Sequence, residues 1–246
     1  MSRQRVGLFV TCLVDFFRPG VGFASIRLLE DAGFEVVVPP DQTCCGQPAW
    51  NSGDRPTTQA LALAVLDGFA DVDAVVAPSG SCIGMLRQYP ELLGADHPRH
   101  ADALRLKERA FELTSFLADQ PDYQPRRQDA ATTVTYHDGC AGLRELGVRD
   151  QPRALLAAAG VEIAEMDAAN VCCGFGGTFC IKYPDISGGM VDDKLASIAR
   201  SGVDTVVAGD LGCLLNIEGR LTRTGSKVRA LHVAELLVGP DGTSTS

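Results

Sequence analysis

Eight of the nine cysteines in this 246-residue chain fall into two sets with one spacing. Cys12, Cys44, Cys45 and Cys82 are answered by Cys140, Cys172, Cys173 and Cys213, the first three pairs 128 residues apart and the fourth 131. Thiolates are ligands for soft metals, and four is the number that an iron–sulfur cubane or a tetrahedral zinc ion requires. The doubled pattern therefore predicts two metal-binding halves. Four bare thiolates at ~4 Å would repel by roughly 4 kcal/mol per pair at an effective dielectric near 20, or about 24 kcal/mol over six pairs. Such a site keeps its protons or finds a cation, and structural zinc returns on the order of 10–16 kcal/mol in small peptides.

Cysteine also packs well as a small hydrophobe, and Cys12 or Cys82 alone, each ending an apolar run, would read that way. Packing does not demand the same residue type twice at four positions. Zinc usually announces itself by a short Cys-x-x-Cys chelate, which is absent, and neighbouring side chains on an extended backbone point apart. The adjacent pairs suit a polynuclear cluster better. The run Cys172-Cys173-Gly174-Phe175-Gly176-Gly177-Thr178 lets the backbone approach closely and aim N–H groups at anionic sulfur, unless it is only a flexible turn. Gly174-x-Gly176 is no dinucleotide fingerprint, since it follows a cysteine pair and lacks the third glycine. The first half has only Cys44-Cys45-Gly46-Gln47-Pro48, so the two sites should differ.

Other candidates carry less. Cys180 has no counterpart in the first half and reads as a core or loop thiol before a spare ligand or redox thiol. His137-Asp138, just before Cys140, could relay protons near a cluster, although loop polarity and capping also account for the pair. Lys182 and Arg144 could hold a substrate carboxylate but read first as solvated surface. His97, His100 and His232 carry no signal.

The elements that must position the cysteines also repeat. Leu28-Leu29 through Gly33 to Val36 parallels Leu155-Leu156 through Gly160 to Ile163, each a helix end, a glycine stop and a strand start. Val72 to Ala77 parallels Val203 to Ala208, continuous β-branched runs of the kind parallel sheets bury on both faces. Strands are expected at residues 5–10, 34–38, 132–136 and 161–165 as well. Arg109 to Leu117 and Arg229 to Leu237 close the halves with similar apolar spacing. Residues 119–129, polar and broken by Pro121 and Pro125, read as a linker, giving domains 1–125 and 126–246. The predicted class is α/β: two tandem units, each a small parallel sheet with flanking helices, related by a pseudo-twofold. Ligands of such sheets collect beyond the carboxyl ends of the strands, where Cys12, Cys82, Cys140 and Cys213 fall.

Composition sets bounds. Hydrophobic residues at 46% and charged residues at 22% are ordinary for a globular chain. The net charge of −9, with no compensating basic cluster, argues against nucleic acid as a partner. Neither a signal-peptide core nor a run long enough to span a membrane is present, which predicts a cytoplasmic protein whose thiols stay reduced.

With Cys44-Cys45-Gly46 and Cys172-Cys173-Gly174, the chain resembles the cysteine-rich CCG family, which includes a subunit of the heterodisulfide reductases and the glycolate oxidase iron–sulfur subunit. Two tandem CCG units without a ferredoxin domain, the run from Cys172 to Phe179 and Lys182-Tyr183-Pro184-Asp185-Ile186-Ser187 liken it most to the family's lactate-utilization branch. The resemblance covers essentially the whole chain. It implies that the eight cysteines ligate clusters, 4Fe-4S and one per half, in a subunit that helps oxidise L-lactate or a related 2-hydroxy acid to pyruvate with partner iron–sulfur subunits. The fullest family pattern ends in Cys-x-x-Cys, whereas here the earlier position is Ser79 or Asp210. Four cysteines per site, not five, point to a four-cysteine cluster rather than the noncubane form, with Asp210 a candidate oxygen ligand. No flavin, nicotinamide or ferredoxin motif is present, so a redox cycle would need partners. The alternatives are a heterodisulfide-reductase-like thiol/disulfide enzyme and a zinc-stabilised binding module.

Overall fold

Short β-branched strands alternating with helices build the same unit twice. The computed structural model describes residues 3–128 and 132–239. In the first half the order is β1 (Arg5–Leu8), α1 (Cys12–Phe17), α2 (Pro19–Asp31), β2 (Glu35–Val37), α3 (Gln47–Asn51), α4 (Arg55–Gly68), β3 (Ala74–Ala77), α5 (Gly80–Arg87), α6 (Tyr89–Leu93), α7 (His100–Arg109), β4 (Ala110–Glu112) and α8 (Leu113–Ala118). The second half runs β5 (Thr132–His137), α9 (Cys140–Leu146), α10 (Asp150–Ala158), β6 (Val161–Ile163), α11 (Phe179–Lys182), α12 (Pro184–Arg200), β7 (Thr205–Ala208), α13 (Leu211–Arg223), β8 (Arg229–His232) and α14 (Val233–Val238).

The sheets have orders β2-β1-β3-β4 and β6-β5-β7-β8. Every pairing is parallel, with Val6 opposite both Val36 and Ala74, and Val206 opposite both Thr135 and Ala230. Each sheet reverses direction of growth at its first strand, which opens a crevice beyond the carboxyl ends of β1 and β3, and of β5 and β7. The fourth strands, β4 and β8, were not separable from the helices that follow them in sequence. They are only three and four residues long, and their last residues, Glu112 and His232, already cap α8 and α14.

Alternation along the strands divides the core. Val75 and Ala77 face the first half's own helices, while Ala74 and Val76 face inward. On that inner side the two sheets share one apolar layer, in which Leu28 and Leu29 of α2 and Phe116 and Leu117 of α8 join Leu155 and Leu156 of α10 and Leu237 of α14. Helix α2 packs on α14 and α8 on α10, and α5 on α9 and α1 on α13, as a pseudo-twofold requires. The expected linker is packed rather than free: Tyr123 is buried in the shared layer and the Gln128 amide N–H donates to the Ala159 carbonyl at 2.9 Å. Asp129, its last expected residue, lies outside the described residues.

Candidate metal centre

Each crevice collects four thiols. Cys12 opens α1 directly after β1, Cys82 lies in the first turn of α5 after β3, and Cys44-Cys45 sit in the loop between β2 and α3. Cys140, Cys213 and Cys172-Cys173 hold the corresponding places around α9, α13 and the loop after β6. Cys45, Cys82, Cys173 and Cys213 are buried and the other four half-buried. Residues separated by up to 73 positions thus meet at one sheet edge in each half. Thr11 precedes the first quartet at a φ of 71°, costly for a β-branched residue, and its hydroxyl accepts the Val14 N–H to cap the short helix that carries Cys12.

The thiols share protons. Cys12 donates to Cys44 Sγ at 3.8 Å, Cys45 also donates, and the Gly46 N–H approaches at 3.5 Å, so Cys44 is held well below the usual thiol range. Those same bonds, with burial, push Cys12 and Cys45 up. In the second half Cys140 and Cys173 donate to Cys172, the Gly174 N–H adds a contact at 3.4 Å, and Cys172 is depressed while Cys140 and Cys173 are raised. A cation that binds a whole quartet as thiolates must displace the protons its cysteines carry.

Local backbone serves this geometry. Gly174 has a φ of +87°, and a Cβ there would meet the Ser187 carbonyl oxygen at 2.8 Å, so the residue after the pair cannot readily carry a side chain while presenting its N–H to sulfur. The carbonyls of the buried cysteines are pinned, Cys45 by the Tyr89 hydroxyl and Cys173 by the Asn216 amide, each donating at 2.8 Å.

A cavity of about 340 Å³ adjoins the first quartet and one of about 260 Å³ the second; Gln47, Ser81, Phe175, Gly177 and Asp210 line both. Asp210 and Ser79, the equivalent positions where the fullest pattern has cysteine, meet in an isolated antiparallel bridge between the halves. Asp210 Oδ1 accepts the Gly212 N–H at 3.1 Å, and Oδ2 accepts the Ser79 hydroxyl at 3.1 Å and the Ser81 N–H at 3.2 Å. Its oxygens thus cap α13 and tie the halves together, an engagement that sets them apart from the cysteine ligands. Cys180 lines the first cavity although it belongs to the second half, and its thiol donates to the Gly177 carbonyl at 3.4 Å. Arg144 lines the second cavity beside Glu145, whereas Lys182 lies exposed against Ser52. Asp138 is buried in an ion pair with Arg153 at 2.8 Å.

Two polar side chains lie beneath the second quartet: His137, read from the sequence as a possible proton relay, and Lys194, which sequence reasoning missed. A ring nitrogen of His137 and the sulfurs of Cys173 and Cys213 all lie within 4.8 Å of one another. His137 is fully buried and neither ring nitrogen is hydrogen-bonded. Lys194 of α12, only 1% exposed, donates to the Ala168 carbonyl and faces all four cysteines of the quartet. Burial presses its ammonium down and the cysteines pull it up. A signal for Lys194 existed, because Val191 and Ile198 share its helical face and mark that face as buried. Soft donors in fours, backbone N–H groups at the sulfurs and an orphaned imidazole make a donor set that fits a thiolate-bound metal or iron–sulfur cluster.

Among the described residues no helix is long and apolar enough to cross a membrane. A family model for the CCG cysteine-rich domain matches residues 6–87 and 134–218. The chain is 44% identical over 235 residues to lactate utilization protein A of Geobacillus kaustophilus (strain HTA426), covering 95% of this chain and 98% of that one. It is 42% identical over 236 residues to lactate utilization protein A of Bacillus subtilis (strain 168), covering 95% and 99%. A solved structure of a hypothetical protein from Helicobacter pylori superposes with a TM-score of 0.67 at 9% identity; it covers 99% of this chain, which spans about half (51%) of that longer one, and it shares the fold alone.

Proposed function

Since the chain belongs to the cysteine-rich CCG family, alongside the lactate utilization A proteins, we propose that it is an iron–sulfur subunit of a cytoplasmic system that oxidises L-lactate, or a related 2-hydroxy acid, to pyruvate. Cys12, Cys44, Cys45 and Cys82 would hold one 4Fe-4S cluster within residues 1–125, and Cys140, Cys172, Cys173 and Cys213 another within 126–246. The observation that carries this reading is the convergence of two quartets in register, each with one thiol already depressed by its neighbours.

When bound, the clusters supply one-electron steps, and oxidation of a 2-hydroxy acid to a 2-keto acid releases two electrons and two protons. The chain's own residues hold and insulate. The thiolates fix position, and the N–H groups of Gly46 and Gly174 lower the negative charge at sulfur. Phe175 contributes its apolar ring to the lining of both cavities. Around the first site, Phe16 and Ile181 are 78% and 79% exposed. Apolar groups at such a rim favour contact with partner iron–sulfur subunits that deliver and accept electrons.

Anaerobic purification followed by iron and sulfide analysis and electron paramagnetic resonance tests the reading. About four irons per half and a reducible centre are expected, and Cys45→Ser or Cys173→Ser should each remove roughly half of the iron and leave the other half loaded. A protein that binds no iron under these conditions would refute it. The grouping of His137 with Cys173 and Cys213 is also one that zinc accepts. A colourless protein with zinc in the second half would favour the zinc-stabilised alternative.

A further inference from the structure

The two halves are not chemically equivalent under their cysteines, and the difference is plainest at one residue. Counting back the 128 residues that relate Cys140 to Cys12, His137 corresponds to Phe9. Both are fully buried at the carboxyl end of the equivalent central strand, on the face away from the shared layer. In the first half that place is filled by an apolar ring packed on Phe69, with centroids 5.8 Å apart. In the second it is filled by an imidazole whose two nitrogens have no hydrogen-bond partner, a costly state for a buried polar group unless something else takes the lone pair.

The groups around His137 do not provide that partner. The Ala169 carbonyl comes near the ring but lies outside hydrogen-bond geometry and already accepts the Asp138 N–H at 3.0 Å. Lys194 spends its ammonium on the Ala168 carbonyl, and Asp138 is held by Arg153. Thr135, two residues back on the same strand face, has a buried hydroxyl that is itself unpartnered. What does lie beside the ring is sulfur: the ligand atoms of His137, Cys173 and Cys213 are mutually within 4.8 Å, a separation compatible with a shared metal ion or neighbouring irons.

We infer that His137 is a fifth donor to the second half's centre, coordinating through one ring nitrogen, so that the first site is four thiolates and the second four thiolates and an imidazole. The inference rests on the cysteine ligation proposed above. The added imidazole carries no charge, whereas Lys194 brings a cation to the same side, and that cation makes the second centre the more easily reduced of the two. Electrons entering at the first site then have a downhill step to the second.

The test uses the full chain, reconstituted anaerobically, with all histidines labelled with nitrogen-15. Metal and sulfide content is measured first, because a wild-type protein that binds no metal in either half overturns both the functional reading and this one. In the loaded, reduced protein, pulsed paramagnetic resonance should detect a directly bound histidine nitrogen. The coupling should vanish in His137→Phe, which copies the first half, while iron at the first site is unchanged. If the second half holds zinc, X-ray absorption at the zinc edge gives the same reading, one nitrogen at about 2.0–2.1 Å that the variant lacks. A loaded second site without histidine nitrogen in its shell, as when buried water bridges Thr135 and His137, overturns the inference while leaving the functional reading intact. So does a coupling that persists in the variant. Should His137→Phe fail to fold, the labelled wild-type protein alone decides.

Discussion

At the scale of single residues, type and spacing made eight cysteines legible, because a quartet repeated in register has no explanation in packing. His137 was legible only as a possible proton relay just before Cys140. Its sulfur partners lie 36 and 76 residues further along the chain, a proximity that spacing does not encode. His232, which carried no signal, caps α14: its Nδ1 accepts the Ala234 N–H at 3.1 Å, so the proton sits on Nε2, 3.2 Å from the Pro78 carbonyl. Burial, the main cause, pushes its pKa down to about 4. The folded state favours the neutral ring, so this contribution is complete above the unfolded value of about 6.5 and is lost as pH falls towards 4. It amounts to about 3 kcal/mol. Denaturant unfolding at pH 7 and pH 4.5 should show the stability gap between wild type and His232→Asn narrowing on acidification; a gap constant with pH would contradict this assignment. Glu112, the residue that caps α8, has the opposite sign: burial raises its carboxyl, so its contribution is present at low pH and lost as pH rises through the raised value. Glu112→Gln, which keeps an accepting oxygen, should therefore gain on wild type as pH increases.

At the scale of elements, the β-branched runs ending in Ala77 and Ala208 announced buried parallel strands, and Gly33 and Gly160 follow the helix ends as expected. The strands β4 and β8 stayed hidden because three or four residues that pass straight into a helix cap give neither period time to appear. How closely helices cross was equally hidden. A Cβ on Gly80 would lie 2.6 Å from the Gly142 Cα, so α5 and α9 meet backbone to backbone next to both cysteine sites. Gly80→Ala must push that crossing apart and should cost about 1–3 kcal/mol, read as a lower melting temperature. Gly174→Ala is expected to act differently, loosening the N–H contact to Cys172 and speeding metal loss from the second half, while the first half keeps its metal under a chelator.

For the whole molecule, the shared layer of α2, α8, α10 and α14 makes the two halves one body, so a single cooperative unfolding transition is expected by calorimetry, moved to higher temperature by bound metal. Two separate transitions in the metal-free protein would mean that the halves do not depend on each other. The buried Tyr123 shows what a linker reading of this segment leaves out: proline and polar content describe chain stiffness and solvation, not the apolar wall a segment happens to cross. By itself the sequence determined the duplication, the α/β class, the parallel strands and the eight candidate ligands, since each is written in residue type and period, which are local quantities. Only the tertiary structure decided that Ser79 meets Asp210 on the pseudo-twofold, that Cys180 borders the other half's cavity and that an unpartnered imidazole lies under one quartet but not the other. Those are distances between segments remote along the chain, fixed by how two sheets pack across a common layer.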